Sequence, residues 1–273
     1  MIELGVLINH SDNIDEAFKK VHDLGFKACQ LSSWSERRWT DESAEEIRAA
    51  MEKYDVKIST FWCGWSGPKV WDLYEGPMTL GIVPVAYRYQ RMNELMAGAD
   101  FAKKLGVVNV ATHAGFIPEN PHTEEYRSVV CCLRRIAQHL KENGQYFLFE
   151  TGQETPNTLR RTIMDIGLDN LGVNFDPANL MIYGKGNPID ALDILGPYIR
   201  DLHGKDGNYP KAGAVRGYEE PLGQGAVNYP AFIAKLKAIG YDGPLTIERE
   251  ISGDKQVADI LAAKELLTNL INS

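Results

Sequence analysis

The amino-acid sequence predicts a single (β/α)8 TIM barrel that spans residues 1–273. Three observations predict this fold. Short apolar or β-branched runs alternate eight times with longer amphipathic runs, which indicates parallel strands joined by crossover helices. The length of 273 residues suits a closed barrel, which needs roughly 250 residues. No composition shift, glycine/serine-rich linker or proline-rich hinge divides the chain.

The first half of the chain contains four predicted strand–helix units. A helical spacing of apolar residues begins at Ile14, after Asn13, and we expect the Asn13 side chain to cap this helix and Gly25 to end it. The predicted strands are 2–8, 26–31, 56–62 and 107–112, and the predicted helices are 14–24, 41–54, 86–105 and 123–143.

The second half repeats the same rhythm. The predicted strands are 146–150, 171–175, 199–203 and 245–248, and the predicted helices are 155–166, 188–195, 229–239 and 255–271. Two connections, 63–85 and 204–228, are unusually long. Both follow strands, so they should lie on the face of the barrel where the strands end. Long loops at that face usually form binding loops or lids.

The composition argues against several classes of protein. With 29 Lys+Arg against 37 Asp+Glu, the net charge is −8, which argues against nucleic-acid binding. No stretch approaches the ~20 apolar residues that a membrane helix requires, and the first residues lack the features of a secretory signal. The four cysteines form no regular pattern, as is common in a reducing compartment. We expect a cytoplasmic protein without nucleic-acid or membrane partners. Barrels of this size often assemble, which leaves a homo-oligomer open.

Ionisable side chains stand at the ends of four successive predicted strands. They are Glu150, Asp176, His203 and Glu248, and they should converge at one rim of the barrel. Three carboxylates placed together repel strongly unless a cation neutralises them. Carboxylate oxygens with one imidazole form a mostly hard ligand set that suits Mn²⁺, Mg²⁺ or Co²⁺. We therefore expect one divalent metal ion, with Mn²⁺ first and Mg²⁺, Co²⁺ or Zn²⁺ as alternatives.

Several stretches of the second half resemble the xylose isomerase-like TIM barrels. That superfamily includes sugar and sugar-phosphate isomerases and epimerases, inosose dehydratases and relatives of endonuclease IV. The resemblance spans nearly the whole chain and is strongest from Glu150 onward. The stretches that carry it are Asn174-Phe175-Asp176-Pro177-Ala178-Asn179, Asp201-Leu202-His203-Gly204-Lys205-Asp206, Leu222-Gly223-Gln224-Gly225 and Gly240-Tyr241-Asp242-Gly243-Pro244-Leu245-Thr246-Ile247-Glu248.

The ketose 3-epimerases of this superfamily suggest roles for the strand-end residues. Carried over from them, Glu150, Asp176, His203 and Glu248 hold the metal, and Glu150 and Glu248 also act as the catalytic acid/base pair. Such a pair removes a proton beside a ketose carbonyl and returns it to the opposite face of the enediolate. One position departs from the pattern, because Asn179 stands where these enzymes usually carry a histidine. Endonuclease IV chemistry is disfavoured, since its three-metal site needs more histidines than this chain offers.

Further residues near the strand ends are candidates for binding a sugar. We expect substrate contacts from His10, Trp62, His113, Asn179, Lys205 and Arg216. The loop after the third strand is rich in aromatic residues, and aromatic faces pack against the C–H faces of sugars. These residues are Trp62, Trp65, Trp71 and Tyr74, with Trp34 and Trp39 in the preceding loop. They suggest a pocket that accepts an aglycone or a second ring.

The combined pattern predicts an enzyme with a small-molecule sugar substrate. The leading interpretation is a divalent-metal-dependent isomerase or epimerase that acts on a ketose or keto-sugar through an enediolate. The first alternative is a metal-dependent lyase or dehydratase of a keto-sugar or keto-inositol, which begins with the same proton abstraction. The second alternative is a non-catalytic sugar-binding barrel.

Overall fold

Eight parallel strands close into a barrel in a computed structural model that describes residues 2–273. The predicted (β/α)8 fold is confirmed. Around the barrel the strands follow the order β1-β10-β7-β6-β5-β4-β3-β2, and β8 pairs only with β9. The strands are β1 (Glu3–Asn9), β2 (Ala28–Ser33), β3 (Lys57–Cys63), β4 (Asn109–Thr112), β5 (Tyr146–Glu150), β6 (Leu171–Phe175), β7 (Ile199–Gly204), β8 (Asp206–Asn208), β9 (Tyr218–Glu220) and β10 (Pro244–Ile247).

Helices surround the barrel and connect its strands. The helices are α1 (Ile14–Asp23), α2 (Asp41–Tyr54), α3 (Gly76–Thr79), α4 (Val85–Lys104), α5 (Glu124–Glu142), α6 (Pro156–Ile166), α7 (Pro177–Ile182), α8 (Pro188–Leu195), α9 (Tyr229–Ala238) and α10 (Asp254–Asn272). Within residues 2–273, none of them combines the length and the apolar character needed to cross a lipid bilayer.

The first helix shows one correct and one wrong sequence prediction. Gly25 follows the end of α1 with a φ of +74°, a left-handed conformation that glycine adopts without strain. The Asn13 side chain, by contrast, makes no capping hydrogen bond. Its backbone conformation (φ −106°, ψ 57°) differs from the extended one in which a cap side chain turns back to the first turn. The acidic Asp15 and Glu16 face the positive end of the helix dipole instead.

Both long connections contain short elements that the sequence pattern did not reveal. The loop after β3 includes the four-residue α3, and the loop after β7 folds into the β8–β9 hairpin. Elements of three or four residues are too short to show a period in the sequence. The two loops meet at the barrel mouth, where the backbone N–H of Leu73 donates to the carbonyl of Val215 at 3.0 Å.

A buried arginine anchors the loop after β3. Arg91, on α4, has no solvent-exposed surface, and its guanidinium donates to four main-chain carbonyls of that loop. The distances are 2.7 Å to Thr79, 2.6 Å to Gly81, 2.9 Å to Pro68 and 3.2 Å to Ser66. These bonds satisfy a charge that would otherwise be costly to bury, and they hold the loop in one conformation.

Candidate metal centre and sugar cavity

Four ionisable side chains converge where the barrel strands end. Glu150 ends β5, Asp176 follows β6, His203 lies in β7 and Glu248 follows β10. One potential ligand atom from each residue lies within 4.8 Å of the other three, and three of the four residues are fully buried. The backbone N–H of Glu248 donates to the carbonyl of Gly204 at 3.1 Å, which fixes the end of β10 beside β7. The convergence expected from the sequence is therefore present.

The inner atoms of this cluster have no hydrogen-bond partner among residues 2–273. They are His203 Nδ1, Asp176 Oδ2 and Glu248 Oε2, and all three atoms are buried. His203 Nδ1 lies 3.0 Å from Glu248 Oε2 and 3.3 Å from Glu150 Oε1, but without hydrogen-bonding geometry. Buried polar atoms without partners are costly. One divalent cation would satisfy all of them together, so the residues fit a metal ion.

The electrostatics of the cluster also favour a cation. Burial alone would lower the pKa of His203, but the charges of Glu150 and Glu248 outweigh it and hold this pKa well above its ordinary value. Burial raises the pKa of Asp176, against the opposing influence of Lys205 and His203. The three carboxylates therefore create a strong local demand for positive charge. Three oxygen ligands and one imidazole suit a hard divalent ion.

The sequence Asp176-Pro177 explains how one ligand is held. Asp176 caps α7, because its Oδ1 accepts a hydrogen bond from the backbone N–H of Asn179 at 2.8 Å. Pro177 occupies the first turn of the helix, where no backbone N–H is needed. The capping bond leaves Oδ2 directed at the cluster. It also places the Asn179 side chain beside Glu150, to whose Oε1 its Nδ2 donates at 3.3 Å.

A pair of buried amides, missed in the sequence, orients His203. Its Nε2 lies 2.9 Å from Gln30 Oε1, and the Gln30 amide nitrogen donates to Asn174 Oδ1 at 3.0 Å. The Asn174 amide nitrogen lies 3.1 Å from the same Nε2 and donates to Gln30 Oε1 at 3.4 Å. With Gln30 Oε1 as the acceptor, the histidine proton lies on Nε2 and the Nδ1 lone pair is available for a metal. The available signal was an amide inside each of two otherwise small or apolar strands, β2 and β6.

We expect Gln30→Met to weaken metal binding without unfolding the protein. Methionine has a similar shape but cannot accept the Nε2 proton, and losing such an outer partner typically costs about 10–100-fold in metal affinity. Titration calorimetry with Mn²⁺ measures this change. Gln145→Met is the matched control, because Gln145 is an equally buried amide that bonds only the carbonyls of Ala99 and Val107. Equal losses of Mn²⁺ affinity in both variants would contradict the orienting role.

Glu150 and Glu248 of the cluster line a cavity of about 540 Å³. Four of the predicted substrate-binding residues line this cavity. They are Trp62, His113, Asn179 and Arg216. Asn9 and Tyr183 also line it, although the sequence gave no reason to single them out. Arg216 lines the cavity, where its guanidinium can contact a ligand.

Lys205 lies beside the cluster. Its Nζ is 3.2 Å from Glu248 Oε2, 3.6 Å from Asp176 Oδ2 and 2.6 Å from Glu250 Oε1. Burial opposes its charge, but Glu248 and Glu250 outweigh burial and raise the pKa of Lys205 well above its ordinary value. Glu250 is half exposed and pairs with this ammonium, so it stands outside the four-residue cluster.

His10, an expected substrate contact, does not line the cavity. The ring is buried, with Nδ1 2.9 Å from Ser33 Oγ and Nε2 2.9 Å from Ser43 Oγ, and it stacks on Phe101. The polar residue directly after a strand turned away from the barrel axis, and Asn9 faces the cavity instead. Both nitrogens of His10 are occupied, so its role is structural.

The placement of His10 predicts a loss of stability in mild acid. Burial, assisted by the charge of Arg38, lowers the pKa of His10 to about 4. Between pH 6.5 and pH 4 the unfolded chain therefore binds a proton that the folded chain does not. The free energy of unfolding decreases as the pH is lowered through this range. We expect a loss of about 1–2 kcal/mol after allowing for partial solvent screening.

Urea unfolding of the wild type and of His10→Gln across this pH range measures the effect. The difference between the two curves isolates His10, because all other titrating groups are present in both proteins. One of them, Glu154, acts in the opposite sense, since burial raises its pKa to about 7. A difference that does not change between pH 6.5 and pH 4 would show that His10 does not contribute.

The fold and the cluster together define a (β/α)8 barrel of the enzyme type that builds its site where the strands end. The family model of the xylose isomerase-like TIM barrels matches residues 18–270. The chain belongs to this family, as the sequence motifs had suggested.

Solved structures share this fold over nearly the whole chain. A xylose isomerase domain protein from Planctomyces limnophilus is 34% identical, with 98% of this chain and 97% of that chain covered and a TM-score of 0.93. A D-tagatose 3-epimerase-like protein is 21% identical, with coverage of 99% and 97% and a TM-score of 0.77. A probable 3-DHS dehydratase from Bacillus anthracis is 18% identical, with coverage of 97% and 99% and a TM-score of 0.70. The last two similarities concern the fold alone.

One curated relative matches this chain over only part of its length. An uncharacterized protein of Methanocaldococcus jannaschii is 29% identical over 174 residues, which is 58% of this chain and 54% of that protein. The chain therefore spans about half the length of this relative, and the similarity carries no activity.

Proposed function

We propose that this protein is a divalent-metal-dependent isomerase or epimerase that acts on a ketose or keto-sugar by proton transfer. One observation carries the proposal. Glu150 and Glu248 meet at the same four-residue cluster and both line the cavity, although they come from strands three places apart around the barrel. A substrate held over the cluster would thus have a carboxylate on each of two sides.

Both glutamates are ionised and therefore have an unprotonated oxygen. Burial would raise the pKa of Glu150, but His113 and His203 hold it well below its ordinary value. Lys205 and His203 likewise outweigh burial and lower the pKa of Glu248 to about 2. Both side chains are therefore carboxylates at neutral pH. The indole N–H of Trp62 donates to Glu150 Oε2, which fixes the orientation of that carboxylate.

The reaction follows from this arrangement. A bound divalent cation would polarise the substrate carbonyl and stabilise the negative charge that develops when the neighbouring C–H proton leaves. One glutamate removes this proton, and the other, after taking up a proton from solvent, donates it to the opposite face of the enediolate, which inverts the carbon; the first glutamate then releases its proton to solvent. Asn179 and His113, which line the cavity beside Glu150, supply hydrogen bonds to the substrate hydroxyls.

The finer features of this proposal are the metal and the compartment. We propose Mn²⁺ as the working ion, since an oxygen-rich set with one imidazole accommodates it, and Mg²⁺, Co²⁺ and Zn²⁺ are the alternatives to compare. The irregular cysteine pattern supports a cytoplasmic location.

Incubation of the metal-loaded protein with ketoses and keto-sugars in D₂O tests the proposal. We expect deuterium at the carbon next to the carbonyl together with a new epimer or isomer, both observed by NMR. A product with new C=C absorbance would identify the lyase alternative instead. If a sugar binds but no deuterium enters any sugar of the panel, the protein is a binding barrel and the enzymatic proposal is wrong.

A further inference from the structure

Three tryptophans form one continuous side of the cavity, which we call the aromatic wall: Trp62, Trp34 and Trp71. Trp62 lies beside the four-residue cluster, where its indole N–H donates to Glu150 Oε2. Trp34 lies against Trp62 with ring centroids 4.8 Å apart, and Trp71 meets the Trp34 ring edge-on at 6.2 Å. The wall therefore begins at the metal centre and extends outward to the loops after β2 and β3.

The outer two members of the wall are the accessible ones. Trp62 is only 5% exposed, whereas Trp34 and Trp71 are half-buried and both border the cavity. The three other aromatic residues expected in this cluster do not border the cavity. Trp65 is buried against Trp34 and Trp62. Trp39 packs on Phe101 away from the cavity, and Tyr74 is 67% exposed and does not border it.

The rest of the cavity lining combines apolar and polar side chains. Ile182, Tyr183, Ile251 and Ile260 are apolar members, and Arg216, Arg249, Glu250, Ser252 and Gln256 are the charged or polar members beyond the cluster. Cavities of ~300–1,000 Å³ typically enclose drug-sized ligands, and this one measures about 540 Å³. A single monosaccharide over the metal centre is smaller than such ligands. It leaves free the part of the cavity bordered by Trp34, Trp71 and Arg216, which we call the outer half.

The outer half is also held in place before any ligand binds. The four carbonyl bonds of Arg91 fix the loop that carries Trp71. The bond from Leu73 to Val215 joins this loop to the one that carries Arg216. A preformed aromatic surface avoids the ordering cost that a mobile loop would incur on binding.

We propose that the outer half of the cavity is a subsite for a second ring, so that the substrate is a glycoside of a keto-sugar, with its free carbonyl on a ring carbon other than the anomeric one, and not a free monosaccharide. The inference rests on the proposed function for the sugar held over the metal centre. The second ring is an aryl group or another sugar, both of which offer a flat apolar face. Such a face stacks on Trp71 and on the part of the Trp34 ring that Lys69, with Nζ 5.0 Å from the ring centroid, leaves uncovered.

Matched pairs of phenyl and methyl β-D-glycosides of glucose, galactose and xylose test the subsite, with cellobiose as the two-sugar probe. Their binding to the Mn²⁺-loaded full chain is measured by titration calorimetry. We expect each phenyl glycoside to bind at least about 10-fold more tightly than its methyl partner, which corresponds to about 1.4 kcal/mol. Comparison of cellobiose with phenyl glucoside distinguishes a sugar from an aryl second ring.

Variants separate stacking from a packing role. Trp34→Ala should bring the affinities of the phenyl and methyl glycosides together, whereas Trp34→Phe should restore most of the difference. Trp39→Phe is the matched control outside the cavity and should retain the wild-type preference. A proportional loss for both glycosides in Trp34→Ala would overturn the subsite. So would equal binding of both by the wild type, or no binding of either.

The outcomes also separate the subsite from the proposed reaction. Tighter binding of the phenyl than of the methyl glycosides, without deuterium exchange in any sugar, would support the subsite and contradict the enzymatic proposal. Exchange in free ketoses without ring preference would contradict the subsite alone.

Discussion

Asp176→Asn should abolish stable binding of a divalent metal and leave the fold intact. The asparagine Oδ1 can still accept the bond from the Asn179 N–H that caps α7, so only the atom directed at the cluster changes. Loss of an outer-shell partner alone typically costs about 10–100-fold in metal affinity, and loss of a ligand should exceed about 100-fold. Metal analysis after dialysis against Mn²⁺ should find about one ion per wild-type chain, as one four-ligand site implies, and almost none in the variant.

Thermal unfolding provides a second measurement on the same proteins. A ligand present at 100 times its Kd stabilises the folded state by about 2.7 kcal/mol, so Mn²⁺ should raise the Tm of the wild type and not that of Asp176→Asn. The metal-free variant should be at least as stable as the metal-free wild type, because one of the three mutually repelling carboxylates of the cluster is gone.

Asp169→Asn serves as the control, since Asp169 is exposed and pairs only with Lys141. It should bind Mn²⁺ like the wild type. Wild-type Mn²⁺ affinity in Asp176→Asn would exclude this cluster as the metal site.

Glu248→Gln should slow proton exchange far more than it weakens substrate binding. Glutamine keeps an oxygen that can face the cluster but cannot take up a proton, and general acid–base catalysis typically contributes about 10²–10⁴-fold. We therefore expect kcat for deuterium incorporation to fall by about 10²–10⁴-fold at saturating Mn²⁺, with little change in KM. NMR in D₂O on whichever sugar the wild type exchanges gives both values.

Glu220→Gln is the matched control for this change. Glu220 is a glutamate of the β8–β9 hairpin near the cavity, but it does not line it, and its carboxylate accepts only a 3.4 Å bond from Asn208. A part-buried hydrogen bond of this length contributes about 1 kcal/mol, so kcat should stay within about 5-fold. A Glu248→Gln variant that exchanges protons as fast as Glu220→Gln would remove Glu248 from the proton-transfer step.

The barrel and the convergence of the four ionisable residues were predictable from sequence for one physical reason. Parallel strands all end at the same face, so a residue at the end of a strand has a known destination even without a structure. Glu150, Asp176 and Glu248 each stand at the boundary between an apolar run and a loop, which marks that destination in the sequence.

Other features depend on directions that a sequence does not carry. His10 stands at a strand end like the others, but its ring turned outward to two serines from different elements. Gln30 is recognisable as an orienting residue only when Asn174 and His203, far away in sequence, are placed beside it. The six-residue α7 begins at the very residue that supplies the ligand oxygen, and it is too short to show a helical period.

The anchoring of the loop after β3 has a consequence for how this protein can change over evolution. Arg91 donates hydrogen bonds to main-chain carbonyls, which are present whatever side chain each position carries. The loop can therefore exchange its side chains, including those that face a ligand, without losing its attachment. Gly81 is an exception, because its φ of +66° and its close approach to Ala114 exclude larger residues. A library that varies the aromatic positions while keeping Arg91 and Gly81 should yield folded proteins with altered ligand preferences.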